Sequence, residues 1–202
     1  MASTTVREIA HALGFKASTV ANKAFTLLGP SVRKNEARLR SDLQKIAGTT
    51  TTGATAYFVY LGKTTRRLKC DKVLFNVTTG GASTQAGEVG LFSSPTAPNG
   101  AAQTLTCLAK DATLDDLTGT GVKGNTTAMG YDVPADTHLW AGYRVDMAST
   151  EPTVVGLTGD NSEGTILSLA AQSAFAVGST YAGDLITAAF TWQAPALVVT
   201  VG

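Results

Sequence analysis

The stretch His138-Leu139-Trp140-Ala141-Gly142-Tyr143-Arg144-Val145-Asp146-Met147 repeats with a period of two. Leu139, Ala141, Tyr143, Val145 and Met147 fall on one face, and Trp140, Gly142, Arg144 and Asp146 on the other. A helix needs apolar residues three and four apart, so this stretch predicts a strand. The same alternation recurs in Val73, Phe75 and Val77, in Ile186, Ala188, Phe190 and Trp192, and in Leu197, Val199 and Val201. Shorter runs lie at 57–61, 88–92, 105–108, 153–157 and 165–169, making about nine or ten strands. Turn clusters separate them: Gly80-Gly81, then 95–100, 119–125 and 159–164. Many short strands with turn-rich joints predict a mainly β fold, a jelly-roll-like antiparallel β-sandwich.

The chain before these strands follows another period. Residues 3–48 read as a small N-terminal helical region. Thr5 with Glu8 fits a capping box ahead of Ile9, Ala10 and Leu13, and Gly14 ends that helix. A second helix carries Val20, Ala24, Leu27 and Leu28 and stops at Gly29-Pro30. A third places Val32, Leu39, Leu43 and Ile46 on one face and ends at Gly48. Four threonines then open a stretch with no helical period, read as a linker. The expected organisation is a basic helical anchor at 1–48, a Thr-rich linker at 49–56 and a β-sandwich domain at 57–202.

Charge divides at a similar place. The 202 residues hold 16 Lys+Arg against 15 Asp+Glu, a net of +1. Residues 1–72 carry 13 basic and 4 acidic side chains, a net of +9, and residues 73–202 carry 3 and 11, a net of −8. Such asymmetry points to two regions with different partners. The basic side chains concentrate in Arg33, Lys34, Arg38, Arg40 and Lys45, and again in Lys63, Arg66, Arg67, Lys69 and Lys72. These ten are the candidate contacts to an acidic surface. Charged residues are only 15% of the chain, which does not fit a disordered, highly charged segment. No run of about 18 apolar residues predicts a membrane span, and charges interrupt the first twenty residues where a signal peptide needs an apolar core.

The motifs that could carry chemistry read as structural. Gly119-Thr120-Gly121-Val122-Lys123-Gly124 matches G-x-G-x-x-G, but no strand–turn–helix unit surrounds it, so it reads as a turn between strands. Asp111, Asp115 and Asp116, and Asp160 with Glu163, lack the full oxygen set of a calcium loop. Cys70 and Cys107 read as buried small hydrophobes, with a disulfide left open. His11 and His138 make no zinc spacing. No nucleophile elbow or phosphate loop is present, so neither an enzyme nor a cofactor is expected.

Two resemblances extend this reading. The series 70–77, Glu88-Val89-Gly90-Leu91-Phe92, Tyr131-Asp132-Val133-Pro134-Ala135-Asp136 and 139–144 resembles the jelly-roll modules of tailed-bacteriophage structural proteins. It covers roughly residues 56–202, as a rhythm of strands. It implies a virion structural role: a capsid decoration (cement) protein bound to the major capsid protein at the capsid surface, assembled in the host cytoplasm. It also implies self-association as a dimer or trimer and no catalysis. A receptor-binding or fibre protein of the virion is the alternative within that family. Separately, Ile9-Ala10-His11-Ala12-Leu13-Gly14 followed by Ser18-Thr19-Val20 resembles the helix-turn-helix of bacterial regulators. There Lys16, Ser18, Thr19, Asn22 and Lys23 would face DNA, ahead of a β ligand domain. Most basic residues lie in the third helix instead, so nucleic acid is not the expected partner.

Overall fold

The computed structural model describes residues 46–50, 55–82, 85–147, 150–157, 165–170, 174–185, 194–195 and 197–201. They form β1 (Ile46–Thr50), β2 (Ala56–Lys63), β3 (Leu68–Thr79), β4 (Gln85–Ser94), β5 (Gln103–Asp111), β6 (Gly121–Gly124) and β7 (Tyr131–Val133). Then follow β8 (His138–Met147), β9 (Thr153–Leu157), β10 (Ile166–Leu169), β11 (Thr180–Leu185), β12 (Ala194–Pro195) and β13 (Val198–Val201). The described chain is mainly β.

Six strands close into a barrel in the order β10-β11-β5-β4-β8-β2, with β2 returning to β10, and every neighbour is antiparallel. The remaining strands form a second sheet centred on β3. Its β7 and β6 partners lie along one edge, and β13 and β9 along the other; β9 carries the sheet on to β1 and β12. Two β-layers do face each other, but one is the wall of a closed barrel rather than an open sheet. The reason lies in β2 and β8. Residues 56–60 of β2 and 139–143 of β8 are buried at every position, so both faces of each strand need cover. Tyr57, Val59, Leu139, Ala141 and Tyr143 meet Val73, Phe75, Val77 and Val154 of the second sheet. Phe58, Tyr60 and Trp140 share the barrel core with Phe92, Leu105, Cys107, Leu167 and Tyr181.

A six-stranded barrel is narrow, and side chains fill this one. The Phe92 ring packs edge-on against Phe58 at 5.0 Å and Phe175 at 4.9 Å. Phe175 comes from the segment before β11 and is itself buried. Room for the Phe92 ring depends on Gly90 and Gly142, which pair across β4 and β8. A Cβ at Gly142 would stand 2.3 Å from the ring, and one at Gly90 2.9 Å.

In the second sheet, a bulge at Asp71-Lys72 lets both Cys70 and Val73 point inward. The buried Asn125 amide covers the disrupted ladder: its Oδ1 accepts from Val73 N at 2.8 Å, and its Nδ2 donates to the Asp71 carbonyl at 3.1 Å. The two cysteines are free and sit in separate cores. Burial pushes the Cys70 thiol up to about 12 and the Cys107 thiol up to about 11.

Two local expectations are corrected. Ile46 was expected on a helix face and Thr49 in a linker, yet residues 46–50 form β1, paired with β9. Gly48 followed by β-branched Thr49 and Thr50 favours extended backbone over helix. The last four residues of the glycine motif are not a turn but β6, paired with β3. The other helical expectations, at 3–45, and the strand at 186–192 lie outside the described residues.

Candidate functional site

The second basic cluster sits where two turns meet. Lys63 ends β2, Arg66 and Arg67 lie in the turn to β3, and Lys69 projects from β3 on the exposed side of the alternation. A single buried threonine fixes this turn. Thr64 Oγ1 donates to the Pro134 carbonyl at 2.7 Å and accepts from Thr137 N at 2.9 Å. Its backbone N donates to the Thr137 carbonyl, and its carbonyl accepts from Asp136 N at 2.8 Å. All four contacts fall on the 134–137 turn between β7 and β8.

β7 and that second turn supply the opposite charge. Lys63 Nζ stands 2.9 Å from Asp136 Oδ1, and Arg67 Nη2 is 2.7 Å from Asp132 Oδ2. Asp136 has a φ of 61°, a left-handed conformation that Asp tolerates better than most side chains. The Lys63 ammonium holds the Asp136 carboxyl below its ordinary range. The corner thus presents Lys63, Arg66, Arg67 and Lys69 against Asp132 and Asp136, a net of +2. Both ion pairs are solvent-exposed, and pairs of this kind contribute little to stability. They are therefore readily exchanged for another partner's charges. Lys72 belongs to the bulge, where its Nζ donates to the Thr126 carbonyl at 3.2 Å. Arg33, Lys34, Arg38, Arg40 and Lys45 lie outside the described residues.

Behind the corner, His138 faces Lys63 across β2 and β8. Burial pushes the Tyr60 phenol up to about 12, and its Oη lies at hydrogen-bond distance, 2.8 Å, from His138 Nδ1. Burial first, and Lys63 second, push the His138 imidazole below its usual value. The unfolded chain then binds the proton more readily than the folded one, so stability rises with pH through this region. The thermal midpoint is expected to be level above about pH 6.5 and to fall as pH drops toward 5. His138→Gln is expected to flatten that slope, as read by circular dichroism melts.

A second charged cluster went unread in the sequence. Glu88 points into the barrel and is 2% exposed. Its Oε1 accepts from Phe175 N at 2.5 Å, and its Oε2 pairs with Lys110 Nζ at 3.0 Å. It fastens the Phe175 segment across the barrel end. The acidic loop residues act locally: Asp111 accepts from Thr113 N, Asp115 from Gly124 N, and Asp116 from Thr118 N and Oγ1. Among the described residues no three His, Cys, Asp or Glu side chains gather as metal ligands. His11, Asp160 and Glu163 lie outside those residues.

The sequence reading found the cations of the corner but not Thr64, Asp132 or Asp136. The available signal was Asp132-Val133-Pro134-Ala135-Asp136, two acids flanking a proline turn. No protein-family model, curated protein or solved structure matches this chain.

Proposed function

We propose that this chain is a structural protein of a tailed-bacteriophage virion, a capsid decoration protein that docks on the major capsid lattice and stabilises the head. The reading takes the basic residues before β1 as a helical anchor and the β-rich remainder as a jelly-roll-like module. Its role is mechanical: it adds buried interface between neighbouring capsomers and resists internal DNA pressure. A specific contact of this kind needs at least about 1,000 Å², and dimers or trimers at symmetry axes suit a lattice.

The observation that carries the reading is the Thr64-held corner. It sets four cations on the β2–β3 connection, which Thr64 ties to the 134–137 turn of a densely filled β body, a charged surface suited to an acidic protein face. The strand rhythm shared with phage modules supports the same reading. The test is to locate the protein in purified particles. Immunogold label is expected over heads, and heads lacking the protein are expected to release DNA at lower temperature. Label confined to tails, or absence from particles, would overturn the reading.

A further inference from the structure

We propose that Asp132 and Asp136 occupy, in the free protein, the positions that an acidic partner segment takes on docking. The corner's partner is accordingly a carboxylate-bearing peptide segment, and the two aspartates set how tightly it is held. This rests on the corner as the docking surface proposed above, and it names the chemistry of what docks there.

The argument is geometric. The corner's cations are not an open basic field. Lys63 and Arg67 each already hold one carboxylate oxygen, at 2.9 and 2.7 Å. The carboxylates come from β7 (Asp132) and the turn after it (Asp136), 65 or more positions away in sequence, so the pairing follows from the fold rather than from neighbouring residues. Asp136 is held in place by its backbone as well: its N–H donates to Thr64, and its φ is left-handed. A built arrangement thus shows which ligand group these cations select, a carboxylate approaching end-on.

Exposed ion pairs exchange at little cost, because water and salt screen both the pair and its replacement. A partner carboxylate that displaces Asp132 or Asp136 leaves that aspartate in water, where it is well solvated. The same interleaving argues against a nucleic-acid backbone. A phosphate track draws on available cations, and here two of the four are already paired with carboxylates.

The experiment uses the full-length chain and poly-L-glutamate as the probe, with binding followed by calorimetry at low salt. Asp132→Asn with Asp136→Asn is expected to tighten binding roughly threefold to tenfold, the effect of freeing two surface pairs. Asparagine also tolerates the left-handed backbone at 136. The control is Asp111→Asn with Asp116→Asn. It makes the same change in net charge and keeps an acceptor oxygen for each turn, and it is expected to change binding less than twofold. Adding Lys63→Gln and Arg67→Gln to the corner pair is expected to remove the gain. Equal tightening by both Asn pairs would reduce the effect to bulk charge and overturn the proposal. So would weaker binding by the corner pair, or a single-stranded oligonucleotide held more tightly than polyglutamate. None of these outcomes depends on a virion, so the proposal can fail while the head location stands, and the reverse.

Discussion

Glu88→Ala is expected to cost about 3 kcal/mol of unfolding free energy, from a buried amide left without its acceptor and the space opened at the barrel end. The carboxylate is 2% exposed and serves two donors, Lys110 Nζ and the backbone N–H of Phe175. Alanine leaves the Phe175 amide without its acceptor and the partly exposed Lys110 without its counter-ion, and it opens a space at the barrel end. Glu88→Gln retains an amide oxygen for Phe175 N–H and is expected to cost clearly less. Urea unfolding of both variants provides the measurement. Losses below about 1 kcal/mol for Glu88→Ala would show that the barrel end is not held in this way. The Phe175 segment should also gain amide hydrogen exchange in Glu88→Ala before the strands of the second sheet do.

Phe92→Ala is expected to be about as severe, at roughly 3–5 kcal/mol. Phe92 is fully buried and meets Phe58, Phe175 and Tyr181 edge-on. The ring also fills the notch left by the Gly90–Gly142 pair, so its removal deprives two bare stretches of backbone of their packing. Collapse of the neighbours cannot recover this, because a closed barrel of six strands cannot narrow without breaking its ladders. A thermal midpoint within a few degrees of the parent chain would contradict the packed-barrel description.

How much of this was legible depended on distance along the chain. The period of two in 138–147 identified β8, and it correctly separated Trp140 and Gly142 from Leu139, Ala141 and Tyr143. It did not show that both faces are buried, because Arg144 and Asp146 made one face look solvated. Barrel closure depends on β10, four residues long, pairing with β2 more than a hundred positions earlier. No local pattern encodes such a partner. Ile46 illustrates the opposite failure. A helical stripe of four apolar residues absorbed it, although Gly48 and the threonines after it favour the extended strand that pairs with β9.

The charged corner divides in the same way. Its cations form a run that composition reveals directly. Its anions and its organising threonine are isolated letters, joined to that run only by the meeting of two turns. Glu88 escaped notice because it stands in an ordinary strand pattern, and only the closed barrel makes its side chain an interior one.

We propose that the corner at Lys63 and Arg67 docks this protein on a phage head. Co-sedimentation of the purified chain with heads lacking it tests this most directly. The chain is expected to pellet with heads at low salt and to be released as salt rises. The Lys63→Glu, Arg67→Glu variant, folded by circular dichroism, is expected to remain in the supernatant. A parent chain that never pellets with heads, or a charge-reversed variant that pellets equally well, would contradict the account.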